Sequence, residues 1–467
     1  MQNTGQTSPQ SEPRWRVIAL FALLTMGSAI GNLSQTGLNA MLPSTMYEFG
    51  VEVDVGQWLT TGYMLMLGVA VPLATFLMRK LNDRQYVLLC YDLATAGALI
   101  DIWAPEFFSM LFGRILQAIS VGLFIPKMQT VAMTKFPQGR QATAMGIAGI
   151  ALGFAPSVGP TVGGGMDFAF GWRSFFVAQF GVSLALLIMA ALLVERGRAL
   201  DAGARFETVS FVYSTIGFGG VLLGLSQASS YGLRSAWMWA PIAVGAVFLA
   251  LFVRRQRAID DPLIDLRIFD SRIFSDGLLT SVFLYSCFIG ITLVIPLYVQ
   301  GVQGGTSLDS GLVILPTTVT ALLVNPLAGM LADKTSARLA CLIFGAFLVV
   351  GSVAYVFVQP DTPFWFLATF QTLRGIGVSG LIGPLVTYSL AGLEGPLVSH
   401  GSTAMVIVRQ VAATFSTAVM VLCIAMFGSL AAEGAVPAVL PYQVAFGFSA
   451  LMAVLCLIFV VAKVKTR

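Results

Sequence analysis

Apolar runs of about twenty residues or more, separated by short polar breaks, fill most of the chain. They cover positions 17–42, 57–78, 85–104, 107–133, 141–165, 173–194, 209–229, 236–253, 273–300, 308–332, 338–358, 363–391, 401–429 and 441–462. At 1.5 Å rise per residue, about 20 apolar residues cross the ~30 Å hydrocarbon layer as a helix. Water is absent there, so each span must satisfy its own backbone groups. The pattern predicts an all-α polytopic membrane protein with fourteen transmembrane helices. One run is unusual: QATAMGIAGIALGFAPSVGPTVGGG (141–165) is crowded with glycine and carries Pro156 and Pro160. In a soluble helix each Gly costs about 1 kcal/mol and each interior Pro about 3 kcal/mol. In a membrane bundle small residues let helices approach closely, and neighbouring groups re-satisfy a backbone broken by Pro.

Composition agrees. Hydrophobic residues make up 57% of the 467 positions and charged ones 10%, against about a quarter charged in globular domains. Residues 1–13 are polar and predict a disordered tail with no cleavable signal peptide. The five cysteines fall inside apolar runs without CxxC spacing and predict buried packing thiols. His400 is the only histidine, which argues against a metal site and against Cys–His or Ser–His catalysis. No nucleotide loop is present. The chain therefore predicts no enzyme, no cofactor and no nucleic-acid partner.

Charge placement gives an orientation. With the N-terminus inside, inner loops and tails collect Arg14, Arg16, Arg79, Lys80, Arg84, Lys135, Arg140, Arg196, Arg198, Arg205, Arg254, Arg255, Arg257, Arg267, Arg272, Lys334, Arg338, Lys463, Lys465 and Arg467. Outer loops hold Arg173 and Arg234 with Glu48, Glu52, Asp54, Glu106, Asp167, Asp361 and Glu433. The positive-inside rule then predicts both termini in the cytoplasm.

The second half echoes the first. PLATFLMRKLNDR (72–84) matches PLAGMLADKTSAR (326–338) at an offset of 254. Arg114 in FGRILQ matches Arg374 in TLRGIG, and ATAMGI matches STAMVI through TAM, both at 260. Two six-span copies would repeat at about 200 residues, so the excess predicts two extra spans between them. The expected organisation is a tail 1–13, a six-helix bundle 14–194, a linker with two extra helices 195–272, and a second six-helix bundle 273–467.

These stretches resemble the major facilitator superfamily, specifically its fourteen-span drug:proton antiporters and, within them, the lincomycin-type multidrug exporters of Gram-positive bacteria. The resemblance rests on Gly159-Pro160 and Gly163-Gly164 at the end of the fifth span, WRSFF (172–176), FGRILQ (112–117), STIGFGG, DKTSAR, SHGSTAM and VRQVA. Three positions depart from the family pattern. Thr75 and Arg79 stand where Gly and Asp are expected, although the second copy keeps Gly329 and Asp333. Ser34 and Gln35 stand where a first-span acid is common. Asp92, Asp101 and Lys127 occupy positions expected to be small or apolar.

An ion in hydrocarbon costs about 2.5–3.5 kcal/mol or more and is by default a functional candidate. Arg114, Arg374 and Arg409 with Gln117, Asn32, Gln35 and Asn39 define a candidate substrate pathway, the last three being the expected neighbours of Arg114. The plainer reading of each arginine is a bond to backbone carbonyls or amides. Asp92 and Lys127 each lie about seven residues from the inner end of their spans, ~10 Å deep, and are expected to pair. The bridge is either static or proton-sensitive. Without a first-span acid, Asp92 and Asp101, with Lys127, are the proton-coupling candidates. The resemblance implies that Gly149, Gly153, Pro156, Gly159, Pro160, Gly163 and Gly164 form a hinge with a smooth face against the opposite half. Tight static packing at a helix crossing is the plainer reading. Asp333 with Lys334 and Arg338 is expected to latch the inner side, and His400 to be structural.

The resemblance implies a monomer in the bacterial cytoplasmic membrane that exports amphipathic drugs or toxic small molecules against protons by alternating access, amid membrane lipid. A basic, Phe- and Met-rich interior suits neutral, zwitterionic or anionic amphipaths better than permanent cations. A substrate-specific exporter or lipid translocator on the same scaffold, with unusual or absent proton coupling, is the alternative.

Overall fold

Each apolar run forms one long helix, broken in the ninth by a turn at 289–290. The computed structural model describes residues 13–195, 197, 201, 206–231, 235–432 and 434–465. The tail 1–12 and Arg196, Arg198, Arg205, Arg234, Glu433 and Arg467 lie outside them. The helices are α1 (Arg14–Phe49), α2 (Trp58–Lys80), α3 (Asp83–Trp103), α4 (Phe107–Thr134), α5 (Gln141–Phe170), α6 (Arg173–Leu193), α7 (Thr208–Tyr231), α8 (Ala236–Gln256), α9 (Arg272–Gly301), α10 (Ser307–Lys334), α11 (Ala337–Phe357), α12 (Phe364–Leu390), α13 (Leu397–Ala432) and α14 (Leu440–Lys463). No strand occurs among the described residues. Thirteen of these helices are long and apolar enough to cross a membrane. The other is α12, where Gln371 and Arg374 dilute an apolar 27-residue helix.

Local sequence fixes the ends. Gly50 and Gly171 adopt φ of 62° and 79° and stop α1 and α5, conformations that cost glycine nothing. Asn82 and Gln85 form a capping box at the start of α3, and Thr306 and Asp309 form one at α10. Inside α5 the residues Ile150–Phe154 form a π-turn just before Pro156. Proline removes one backbone donor and crowds the preceding carbonyl, and a widened turn relieves both.

The internal repeat reappears as packing. In the first six helices α1 packs on α4, α5 and α6, α4 on α2 and α3, and α3 on α6. In the last six α9 packs on α12, α13 and α14, α12 on α10 and α11, and α11 on α14. The pairings correspond one to one. Helices α7 and α8 pack on each other, and α7 also touches α2 and α13. A Cβ on Gly220 would lie 2.7 Å from Pro241 O, so small residues set the α7–α8 approach.

Arg79, Lys80, Arg84, Lys135, Arg140, Lys334 and Arg338 gather at one end of the bundle, called the basic end below. At the opposite end Glu48 accepts from Arg173 and from Trp172 Nε1 (2.6 Å). Arg173 also donates to Ala104 O (3.1 Å), tying α1, α3 and α6 together.

Candidate functional site

The two arginines predicted from the repeat, Arg114 and Arg374, are both fully buried, but their surroundings differ. Arg114 on α4 donates through Nη1 to Ser34 Oγ (2.7 Å) and Gln117 Oε1 (3.0 Å), and through Nη2 to Ser34 O (3.2 Å). Gln117 Nε2 donates to Asp101 Oδ2 (2.7 Å) on α3. Ser34 Oγ donates to an amide oxygen of Gln117 (3.1 Å) or Gln179 (3.0 Å). The guanidinium lies 4.2 Å from the centre of the Tyr63 ring, whose hydroxyl donates to Gly31 O. A buried Arg and a buried Asp are thus joined through one Gln. Asp101 Oδ1 and Arg114 Nε have no hydrogen-bond partner.

Glycine makes this approach possible. A Cβ on Gly113 would lie 2.1 Å from Asp101 Oδ1, and one on Gly97 2.6 Å from Gly113 O. Beside the network a cavity of about 10 Å³ is lined by Gly31, Gln117, Ser120, Gln179 and Ser183, among others. That is room for about one water.

Asn32, Gln35 and Asn39, expected around Arg114, do not hold it. Asn32 Nδ2 donates to Ser28 O within α1, Gln35 is half-buried, and Asn39 is exposed. Ser34 takes their place, its hydroxyl and its carbonyl oxygen both accepting from Arg114. Gln179 was not anticipated, although an amide in the apolar run of α6 is an available signal.

In the second half Arg374 donates to Cys287 O and, at 3.4 Å, to Phe288 O. These carbonyls lie where α9 is interrupted between Phe288 and Ile291. Arg409 on α13 donates through Nε to Met405 O (3.0 Å) and lies 5.2 Å from the centre of the Tyr285 ring. The plainer expectation, bonds to backbone carbonyls, describes both. By the repeat offsets, Tyr355 and Gly377 stand where the first half has Asp101 and Gln117, so the acid–amide bridge belongs to the first half alone.

The expected Asp92–Lys127 pair does not form. Asp92 is exposed on α3, whereas Lys127 Nζ lies 2.6 Å from Asp83 Oδ1, and Lys135 Nζ lies 2.7 Å from Asp83 Oδ2. Equal depth did not place Asp92 and Lys127 on facing sides. The long Lys127 stem instead reaches toward the helix end to meet the first residue of α3.

Helix α5 divides its glycines between two neighbours. A Cβ on Gly146 would lie 2.4 Å from Asn325 O, and Gly149 and Gly153 also face Asn325 of the opposite half. Gly159 and Gly163 instead face α1: their Cβ atoms would lie 2.0 Å from Thr36 Oγ1 and 2.4 Å from Gly37 O, and Gly164 faces Ala40. The smooth face toward the opposite half therefore covers only the first part of the expected hinge; beyond the π-turn, Gly159, Gly163 and Gly164 pack within their own half. Thr36 Oγ1 donates to Pro156 O (2.8 Å), an acceptor left free because its helical partner four residues on, Pro160, has no N–H.

The latch also differs from expectation. Asp333 does not engage Lys334 or Arg338. It accepts from Ala142 N (3.1 Å), Thr143 N (2.7 Å) and Thr143 Oγ1 (2.6 Å), capping α5 from α10. The orphan donors and positive dipole of a helix N-terminus suit a carboxylate. Arg338 donates to Val461 O (3.4 Å). His400 accepts from Asp265 N (3.1 Å), a structural contact as expected. The cysteines are free and buried except for half-buried Cys423.

Two groups of six helices with matching pairings, each with a buried arginine on its fourth helix, describe a duplicated membrane transporter. The family model of the Major Facilitator Superfamily matches residues 24–417, and the chain belongs to that family. It is 32% identical over 415 residues to the MFS-type transporter YcnB of Bacillus subtilis, covering 89% of this chain and 88% of the relative. It is 31% identical over 412 residues to the lincomycin resistance protein LmrB of Listeria monocytogenes, covering 87% and 86%. Among solved structures, the proton:xylose symporter XylE has a TM-score of 0.66 at 13% identity over 97% of this chain and 96% of that one, a likeness of fold. The protein is a multi-pass transporter of the bacterial cytoplasmic membrane, and its relatives include drug-resistance proteins.

Proposed function

We propose that the chain exports amphipathic drugs or toxic small molecules from the cytoplasm in exchange for protons, by alternating access. In this reading residues 14–194 and 273–467 are two six-helix halves that rock against each other. Residues 195–272 insert two further spans, giving a 6 + 2 + 6 layout. The basic end and both termini are cytoplasmic, as the positive-inside rule favours. The unit is a monomer surrounded by lipid.

One observation carries the proton-coupled part: Asp101 is fully buried, bonded through Gln117 to Arg114, and keeps one carboxylate oxygen free. That oxygen is a place for a proton, and Gln117 is the bridge through which its loading is felt at Arg114 and Ser34. Asp101 lies two residues from the end of α3 remote from the basic end, a position suited to loading from outside. The seam between halves is held at the basic end by Asp333 with Thr143, Thr75 with Thr403 and Thr130 with Ser402. With that end cytoplasmic, this is the inward-closed arrangement. The similarity to a lincomycin resistance protein supports an amphipathic drug as cargo.

The test is export from an efflux-deficient bacterial host over a panel of amphipathic antibiotics headed by lincomycin, and pH-gradient-driven uptake of the protected compound into inverted vesicles. The parent should protect and take up drug only with a gradient. Asp101→Asn should abolish the gradient dependence, and Arg114→Ala should abolish uptake. Gradient-dependent uptake by Asp101→Asn at the parent rate would remove Asp101 from the mechanism.

A further inference from the structure

The two copies of the repeat close the basic end by different chemistry. In one copy Asp333 of α10 caps the first turn of α5, and Gly329 lets the backbones touch: a Cβ there would lie 2.2 Å from Ala142 O. In the other copy Thr75 and Arg79 of α2 stand at the equivalent positions, facing α13. Thr75 Oγ1 meets Thr403 Oγ1 at 2.8 Å, so this seam is spaced by two side chains.

A carboxylate at position 79 would find no free donors beside Thr403. Helix α5 begins at Gln141, so Ala142 and Thr143 N–H are orphans of its first turn. Helix α13 begins at Leu397, so Thr403 lies beyond its first turn and its N–H belongs to the helical ladder. Arg79 instead forms an ion pair with Asp261 and another with Asp201 (3.1 Å).

Asp261 lies in the segment 257–271 between α8 and α9, which behaves as a strap. Leu263, Ile264 and Ile268 are buried in an apolar cluster that includes Leu393 and Val398 near the start of α13 and Ala74 and Met78 of α2. Asp265 N donates to His400 Nδ1 (3.1 Å), and Ile264 N to Gln256 Oε1 (3.0 Å). Residues 266–270 pack on α9 and α13 and Asp265 is bonded to His400 of α13, so this end of the strap is tied to the last six helices, while Asp261 presents its carboxylate to Arg79 of α2.

We infer that segment 257–271 is the second latch between the halves, held by Arg79 against Asp261, and that it replaces the helix-capping carboxylate that the other copy retains. The inference rests on the rocking of the halves proposed above. Opening the basic end breaks the Asp333 cap on one side and the Arg79–Asp261 pair on the other.

The experiment reads opening directly. Ser402→Cys, at the seam, is labelled by a membrane-impermeant maleimide in inverted vesicles without substrate or pH gradient, in a Cys423→Ser background whose four remaining native cysteines are buried. Arg79→Glu and Asp261→Arg should each raise the labelling rate at least about five-fold, as expected for reversing one partly exposed ion pair. The charge swap Arg79→Glu/Asp261→Arg should recover part of that increase, labelling clearly more slowly than either single variant, because a carboxylate at position 79 still faces Asp201. Asp261→Asn is the milder variant should Arg79→Glu not reach the membrane. Asp333→Asn serves as reference. If it speeds labelling while the Arg79 and Asp261 variants do not, or if the swap labels as fast as the single variants, the strap is no latch. If neither Asp333→Asn nor the strap variants change labelling, the rocking reading fails with it.

Discussion

Replacing Gln117 by Leu tests whether Asp101 and Arg114 act through one bridge. The substitution keeps approximate volume and removes the Gln117 Nε2 bond to Asp101 Oδ2 (2.7 Å) and the bond from Arg114 Nη1 to Gln117 Oε1 (3.0 Å). A hydrogen bond to a charged group contributes about 1.5–3 kcal/mol, so the loss of both predicts a destabilisation of about 3–6 kcal/mol if both partners stay charged. Asp101→Asn removes the carboxylate charge from the same bridge. An asparagine oxygen still accepts from Gln117, so in a double-mutant cycle the two substitutions should couple by about 1 kcal/mol or more, the excess of a charged over a neutral hydrogen bond. The assay is reversible denaturant unfolding of the purified protein in detergent micelles, followed by tryptophan fluorescence, for parent, Gln117→Leu, Asp101→Asn and the double variant. Additivity within about 0.5 kcal/mol would mean that the two residues are independent and would refute the bridge.

Gly329→Leu and Gly159→Leu should fail in different ways. The first pushes α10 off Ala142 of the opposite half and should speed Ser402→Cys labelling with little loss of stability, whereas the second strikes Thr36 and Leu33 within one half and should destabilise by about 1–3 kcal/mol or more; thermal unfolding in detergent separates them. Asp92→Asn should change stability by less than about 0.5 kcal/mol, as at exposed positions generally, while Asp83→Asn should lower the unfolding temperature measurably because Lys127 and Lys135 both lose their carboxylate. Hydrogen bonding to Arg255 holds the Glu207 carboxyl at about 2 against an ordinary 4.5. A depressed carboxyl stabilises above its unfolded value, so the stability gap between parent and Glu207→Gln should be full above pH 4.5 and close as pH falls toward 2; unfolding midpoints across that range check the sign.

The helices were legible because hydrocarbon length and apolar content constrain one another, and even α12, with Gln371 and Arg374 inside it, followed from its run. The ends were less so. Helix α1 reaches Phe49 rather than stopping at the run's edge near 42, because Ser44 donates to Asp167 (2.6 Å) and Glu48 meets Arg173, polar pairings to which hydropathy is blind. Charge cost singled out Arg114, Asp101 and Lys127 correctly as buried, but partners depend on helix rotation and side-chain reach. Depth alone suggested Asp92 for Lys127, yet rotation turns Asp92 outward and the lysine stem reaches Asp83. The second-copy motif was visible in Gly329 and Asp333, but Lys334 and Arg338 were the wrong partners: the donors to Asp333, in the first turn of α5, required knowing where that helix starts.

Placing the extra helices explains why the two seams can differ. The α5–α10 seam is tight because glycine lets backbones touch, and its carboxylate cap needs no help. The α2–α13 seam is held apart by Thr75 and Thr403 and cannot use a cap, so it needs added surface. Helix α7 supplies it by packing on both α2 and α13, and the strap that follows α8 supplies the carboxylate for Arg79. On the proposed layout, the two extra helices and the strap stand beside the seam that carries Thr75 and Arg79 in place of the Gly329 and Asp333 of the other copy. Grafting Thr75→Gly and Arg79→Asp together should therefore not restore a helix cap: with α13 beginning at Leu397, the new carboxylate would face Asp261 and Asp201 instead of free N–H groups, and the basic end should open more readily than in the parent.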